Sequence, residues 1–151
     1  MNILNEIQVS YKTDSIKKPT IDHANTAYQL FLNSWNMNNI EFLEEFKVMF
    51  LNQSNKVLGL YSLSKGGINQ CTVDIRHIYS IALKVNASAI IVAHNHPSGN
   101  LKPSREDLKI TSQIAAAGEI LNIKLLDHLI ITKDDFLSIE ESGLCAAQCI
   151  G

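Results

Sequence analysis

The chain has 151 residues, of which 46% are hydrophobic and 19% charged, and its formal net charge is −2. This length predicts about one domain with a sizeable core, and the composition excludes charge-driven disorder. With 13 basic and 15 acidic residues, the chain lacks the basic excess typical of proteins that bind nucleic acid mainly through phosphate contacts. The longest uncharged apolar run, Ala87–Ala93, is far short of the ~20 residues that a membrane helix needs.

Cysteine usage and the two chain ends set further bounds. Cys71, Cys145 and Cys149 form no Cys-x-x-Cys pair, which argues against a disulfide framework and against a thiolate zinc site. The N-terminus lacks the pattern of a signal peptide. We therefore expect a reduced, cytoplasmic protein without membrane association. Its expected organisation is an N-terminal strand and extension over residues 1–19, one domain over 20–144 and a tail over 145–151.

Hydrophobic spacing in the N-terminal half predicts a strand, a helix and a hairpin. Alternation over residues 7–11 predicts a short, half-buried strand. Apolar residues at steps of three and four over 21–35 predict an amphipathic helix, with Thr20 as its N-cap. Strands are predicted over 46–51 and 56–63, joined by a polar turn.

The C-terminal half alternates helices and strands. A helix is predicted over 75–85, a strand buried on both faces over 89–93, a helix from Ser104 to about Leu121 and a strand over 124–132. A short polar end with some helical character follows. The expected order is therefore β, α, β, β, α, β, α, β. It indicates an α/β or α+β fold with a mixed sheet flanked by helices.

A cluster of metal-ligating residue types follows the buried strand. His94 and His96 are two apart, so strand geometry directs both imidazoles to one side. Two such rings can converge on one metal ion at ~2.0–2.1 Å. After a loop, Ser104 stands at an N-cap position and Asp107 in the first helical turn, where its carboxylate can face the strand end. Two histidines, one aspartate and an open position form a catalytic type of metal set.

This residue set is compatible with more than one chemistry. A water in the open position would be acidified towards neutral pH and become a nucleophile, and Ser104 could donate a hydrogen bond to a developing oxyanion. The same ligands also describe the facial triad of non-haem iron oxygenases. A general base would favour zinc hydrolysis, and Glu44 and Glu45 are the candidates. Alternation groups Glu44 with apolar Phe46, whereas Glu45 shares a face with Lys47 that we expect to be partly wet.

The metal cluster also carries a resemblance to a known family. His94-x-His96, seven residues and Ser104-x-x-Asp107 match in every position the JAMM motif of the JAB/MPN metalloprotease fold. The string from His94 to Gly99, with Pro103-Ser104, resembles the RadC branch of that family. The likeness covers about residues 44–144, with a weaker part back to Thr20. Outside the motif it lies in the segments Glu44–Asn52, Gly66-Gly67, Ala82-Leu83, Asn86-Ala87, Leu126–Ile130 and Ser142–Leu144.

The resemblance implies a cytidine-deaminase-like JAB/MPN fold and a zinc-dependent hydrolase of peptide or isopeptide bonds. One zinc ion per chain would be held by His94, His96 and Asp107, with water as the fourth ligand. Glu44 would take a proton from that water and pass it to the leaving amine, and Ser104 would hold the tetrahedral intermediate. The implied partner is a peptide or protein substrate.

The chain also departs from the RadC-type pattern. Full-length members carry a helix-hairpin-helix region, for which we expect no room in these 151 residues, and residues 74–77 stand where the branch often has Pro-Arg-Glu. The alternative function is a DNA-repair-associated accessory module with a mainly structural metal site, in which nucleic acid enters only by family association. We expect Asp127 and His128 to be a supporting or structural pair rather than ligands. His23 and His77 are expected on the surface or on a helix.

Overall fold

A computed structural model of the chain describes residues 4–14, 17–66 and 72–144. The predictions at Gly67, at the three cysteines and for the tail over 145–151 lie outside these residues. No helix within the described ranges is long and apolar enough to cross a membrane. Their elements are α1 Ala24–Ser34, β1 Glu45–Leu51, β2 Val57–Lys65, α2 Ile75–Lys84, β3 Ala89–Asn95, α3 Arg105–Leu121, β4 Lys124–Ile131, β5 Phe136–Ser138 and α4 Ile139–Ser142.

The strands form one mixed sheet in the order β2-β1-β3-β4-β5. β1 is antiparallel to both β2 and β3, β3 is parallel to β4, and β5 is antiparallel to β4. The parallel pair is connected through α3, as a parallel crossover requires. This is the predicted α+β class with a mixed sheet. Because β3 is the central strand, its C-terminal end lies in the middle of one sheet edge.

Helices cover both faces of the central strands, which explains why β1 and β3 are buried along their whole length. On one face, α1 contributes Phe31 to a buried cluster that includes Met49 and Ile91 of the sheet. On the other face, α2 and α3 contribute Ile78 and Ile114 to a second cluster. Successive strand residues thus meet different helices, and both sides exclude water.

Two predictions in the N-terminal part are wrong. Residues 4–14 form no strand, and Ile7 and Val9 are 86% and 71% exposed. Alternation satisfies the side-chain pattern of a strand, but it does not supply a pairing partner. Thr20 is not a helix cap either, because α1 begins at Ala24 with His23 at the N-cap position. Thr20 instead forms an isolated antiparallel bridge with Lys56.

The chain after β4 is more regular than the sequence pattern predicted. The segment expected to be polar with some helical character contains the three-residue strand β5 and the one-turn helix α4. Ser138 ends the strand and caps the helix, since its hydroxyl accepts a hydrogen bond from the Glu141 amide at 3.0 Å. Asp127 of β4 reinforces this turn by accepting from the Glu140 amide at 3.2 Å.

Candidate metal centre

The two histidines of the motif lie together at the C-terminal end of β3. His94 is opposite Phe46 of the neighbouring β1 and is only 3% exposed. His96 lies two residues further along, directly after the last residue of the strand. The Nε2 atoms of the two rings are 2.9 Å apart. The expected convergence of both imidazoles is therefore present, and it results from the strand alternation.

Asp107 reaches the same point from the first turn of α3. The Ser104 hydroxyl accepts from the Asp107 amide at 3.0 Å, and the Asp107 carboxylate accepts from the Ser104 amide at 2.8 Å. These reciprocal bonds form a capping box. Asp107 Oδ1 lies 3.2 Å from His94 Nε2, and Oδ2 lies 3.2 Å from His96 Nε2. The cap therefore orients the carboxylate towards both imidazoles.

The donor set fits a single metal ion in its chemistry and its spacing. Ligands at ~2.0–2.1 Å from a tetrahedral ion lie about 3.3 Å from one another, and the three separations here are 2.9, 3.2 and 3.2 Å. Burial raises the pKa of Asp107, but hydrogen bonds with His94 and His96 outweigh it and hold the pKa far below its ordinary range. The carboxylate is thus ionised, as a ligand must be.

Asp107 also acts on the titration of His96. Burial lowers the pKa of His96, but the hydrogen bond with Asp107 and the contact with the Asn100 carbonyl outweigh it, so the pKa is raised overall. The His96 Nδ1 lies 2.6 Å from the Asn100 oxygen. Since a carbonyl oxygen only accepts, Nδ1 carries a proton and donates it. In the neutral ring, Nε2 then presents its lone pair to the metal position.

Glu44, the predicted general base, precedes β1 and lies beside the same cluster. Its Oε1 atom is 4.0 Å from His94 Nε2, and the side chain is 13% exposed. Ligand atoms of Glu44, His94 and His96 all lie within 4.8 Å of one another. The centre thus has a second carboxylate, which stands farther from His94 than Asp107 does.

The face that Glu45 shares with Lys47 is buried, so the expectation of a partly wet face is wrong. Lys47 and Glu45 are 5% and 7% exposed. The Lys47 ammonium lies 3.9 Å from Glu45 Oε1, donates to the Ser34 carbonyl at 2.8 Å, and stands 4.6 Å from the centre of the Trp35 ring. Glu45 also accepts from the Ser62 hydroxyl at 2.8 Å. Helix α1 covers this face. The Glu45 carboxylate contacts Lys47 and Ser62 there, on the side of the strand away from the histidines.

Sequence reasoning missed the function of Asn95, which stands between the two histidines. The side chain is fully buried. Its Oδ1 atom accepts from the Glu45 amide at 2.7 Å, and its Nδ2 atom donates to the Ile40 and Leu43 carbonyls at 2.8 Å each. The amide therefore holds the backbone on both sides of Glu44. The available signal was a second polar residue, next to His94, at the end of a strand whose other residues are apolar.

His128 lies behind His94, as the prediction of a supporting residue required. Its Nε2 atom is 2.7 Å from His94 Nδ1, and its Nδ1 atom is 2.6 Å from the Thr111 hydroxyl. Burial, together with the neighbouring His94, holds the pKa of His128 well below its ordinary value, so the ring is neutral. The adjacent Asp127 carboxylate does not reach the donor cluster; it accepts from the His128 backbone amide and from residues of β5 and α4. His23 and His77 are exposed, outside the centre.

The centre opens into a cleft of about 920 Å³. Apolar side chains of Phe42, Val73 and Ile110 line part of its wall. Charged side chains of both signs also line it: Glu41, Lys102, Glu106 and Lys109. The donor atoms of the candidate site are therefore accessible to a molecule larger than water.

The family described as "RadC-like JAB domain" matches residues 21–144. The chain is 50% identical over 101 residues to a UPF0758 protein of Flavobacterium johnsoniae, which covers 67% of this chain and 44% of that protein. A UPF0758 protein of Listeria monocytogenes is 43% identical over 102 residues, with 68% and 46% covered. The chain thus spans less than half the length of these curated relatives. With the match extending over most of its residues, the chain belongs to the RadC-like JAB domain family.

Proposed function

We propose that this chain is a zinc-dependent hydrolase of peptide or isopeptide bonds. The observation that carries the proposal is the donor cluster at the cleft, in which His94, His96 and Asp107 are mutually within 3.2 Å and Glu44 stands beside them. Zinc, when bound there, supplies a Lewis acid and lowers the pKa of a bound water towards neutrality. The ligand set is of the open, catalytic type because only three protein groups are assigned to it.

Glu44 moves the proton in this proposal. Its carboxylate is close enough to the cluster to contact a water in the open position, yet it is farther from His94 than the Asp107 oxygen. The side chain is 13% exposed, so it reaches the cleft while most of its surface is excluded from bulk water. A general base in such a setting accepts a proton from the attacking water and delivers it to the leaving nitrogen.

Ser104 supplies the polarising donor. Its oxygen already accepts the Asp107 amide hydrogen, so the hydroxyl proton is directed elsewhere. Ser104 lines the cleft together with the ligands. Its hydroxyl can therefore donate to a substrate carbonyl oxygen as negative charge develops on it, which is the interaction that lowers the barrier of acyl transfer.

The cleft favours a peptide over nucleic acid. The wall has no basic excess, because it carries two lysines, Lys102 and Lys109, against four carboxylates: Glu41, Glu44, Glu106 and Asp107. A phosphate backbone requires a basic excess, whereas a peptide offers both apolar side chains and amide groups. Glu44 further favours hydrolysis over iron-dependent oxygenation, because hydrolysis requires a general base beside the metal to accept a proton from water.

The test combines metal analysis with cleavage of defined substrates. Wild type, Glu44→Gln and the control Glu106→Gln are loaded with zinc and assayed on fluorogenic peptide pools and isopeptide-linked peptides. Glu106 is the matched control because its carboxylate lines the same cleft without belonging to the donor cluster. Glu44→Gln should retain about one zinc per chain and lose roughly 10²-fold or more in rate. Full activity of Glu44→Gln, or zinc-loaded wild type that cleaves neither substrate class, would contradict the proposal.

A further inference from the structure

A buried series of hydrogen bonds connects His94 to the backbone of α3. The Thr111 hydroxyl donates to the Asp107 carbonyl at 2.6 Å. The same hydroxyl oxygen lies 2.6 Å from His128 Nδ1, and His128 Nε2 lies 2.7 Å from His94 Nδ1. Thr111, His128 and His94 are 4%, 1% and 3% exposed. Water therefore does not compete for these contacts, and both ring nitrogens of His128 and Nδ1 of His94 must find their partners within the series.

The Asp107 carbonyl oxygen, at the start of the series, determines which atom donates in every hydrogen bond that follows. The Asp107 carbonyl oxygen can only accept, so it takes the single hydroxyl proton of Thr111. The Thr111 oxygen must then accept from His128 Nδ1. His128 is neutral because a buried imidazolium would be costly, and a neutral imidazole has one ring proton. Its Nε2 atom is consequently an acceptor, which receives a hydrogen from His94 Nδ1.

We infer that Thr111 and His128 are positioning residues that fix His94 in the tautomer protonated on Nδ1. With Nδ1 occupied by its proton, Nε2 is the nitrogen that can bind a metal ion between His94, His96 and Asp107. This inference rests on the proposed metal site. It assigns a role to two residues that do not touch the metal position themselves.

The opposite tautomer is disfavoured by the geometry of Thr111. If His94 carried its proton on Nε2, His128 would have to donate from Nε2 and accept at Nδ1. The Thr111 hydroxyl would then donate its proton to His128. No hydrogen would remain between the Thr111 hydroxyl oxygen and the Asp107 carbonyl oxygen, which are 2.6 Å apart. Such a contact is repulsive. A residue on α3 thereby biases a ring on β3.

His96 is held in the same tautomer by simpler means. Its Nδ1 atom donates directly to the Asn100 carbonyl at 2.6 Å. His94 is buried within the sheet, where no loop carbonyl of the described residues accepts its Nδ1 hydrogen. The His128 side chain, oriented by Thr111, accepts it instead. The Phe46 ring lies nearly parallel to His94, with 10° between the planes and 6.2 Å between the centroids.

The experiment measures zinc affinity and the tautomer separately. Zinc dissociation constants are determined by competition with a chromophoric chelator for wild type, Thr111→Val, Thr111→Ser and His128→Leu. Thr111→Val keeps the shape and removes the hydroxyl, and Thr111→Ser is the matched variant that retains it. Losing the series should weaken zinc binding roughly 10–100-fold in Thr111→Val and His128→Leu, and Thr111→Ser should stay within about threefold of wild type. Thermal unfolding identifies a variant that fails to fold.

Long-range ¹H–¹⁵N spectra of the metal-free wild type report which ring nitrogen of His94 is protonated. The expected pattern is a protonated Nδ1, whatever proton Nε2 shares with the Asp107 carboxylate 3.2 Å away before a metal binds. An unprotonated Nδ1 overturns the inference whether or not zinc binds. Folded Thr111→Val or His128→Leu with wild-type zinc affinity also overturns it, while the proposed function stands. Wild type that binds no zinc refutes the proposed function, and the spectrum then decides the inference by itself.

Discussion

Asn95→Ala should destabilise the protein strongly, because one buried amide satisfies three backbone groups. The substitution removes the acceptor of the Glu45 amide hydrogen and the donor to the Ile40 and Leu43 carbonyls. Ile40 is 1% and Glu45 7% exposed, so water does not readily replace the lost side chain there. These contacts connect the end of β3 to the segment that leads into β1.

The magnitude follows from counting orphaned groups. A buried donor or acceptor left without a partner costs about 1–3 kcal/mol. The bond to Leu43 lies in a partly buried region, where water can offset part of the loss. We therefore expect Asn95→Ala to lower the free energy of unfolding by about 3 kcal/mol or more. Such a loss is a large fraction of the total for a domain of this size.

Urea unfolding at neutral pH measures this change, with Asn52→Ala as the matched control. The Asn52 side chain also accepts from two backbone amides, those of Ser54 and Lys56, but in an exposed turn. Water can replace it there, so the control should cost about 1 kcal/mol or less. Asn95→Ala that is no more destabilising than Asn52→Ala would refute the reasoning that burial makes these hydrogen bonds decisive.

Three further predictions concern single residues. His96→Ala should lose bound zinc, as elemental analysis would show, while far-UV circular dichroism stays near wild type; unchanged zinc content would contradict the ligand assignment. Ser104→Ala should cost ~0.5–2 kcal/mol in urea unfolding as a lost cap and roughly 10²–10³ in hydrolysis rate, and full activity of Ser104→Asp would reduce Ser104 to a cap. Burial raises the pKa of Tyr79 to about 12. The unfolded chain therefore releases this proton near pH 10 first, and the free energy of unfolding should fall by at most about 2.7 kcal/mol as pH rises to 12. Tyr79→Phe should lack that alkaline decrease, and an equal decrease in the variant would assign it to other groups.

Local sequence pattern predicts the candidate ligand cluster more completely than it predicts the fold. His94, His96, Ser104 and Asp107 lie on a strand end, a loop and a helix start that follow one another in the chain. Strand alternation and helix capping are local rules, and they predict that these side chains converge. The same rules failed for residues 7–11, because a strand also requires a partner that no local pattern supplies.

Residues that support the cluster were not predictable in this way, since their partners are distant in sequence. Asn95 bonds to the Glu45 amide 50 residues away, and His128 to His94 across 34 residues. The sequence argument for Glu44 over Glu45 depended on a wet face at Lys47, and that face is covered by α1. Which faces are covered is decided by how helices pack on the sheet, and residue spacing within one strand does not contain that information.

Asp107 explains why the start of α3 is so closely tied to the centre. Its carboxylate contacts both imidazoles and accepts the Ser104 amide hydrogen. Its carbonyl oxygen receives the Thr111 proton, the first member of the series that ends at His94. A displacement of this one helical turn would therefore alter together the position of one proposed ligand and the tautomer inferred for another. The capping box contributes to the centre because it holds both groups of Asp107 in place, besides stabilising the helix end.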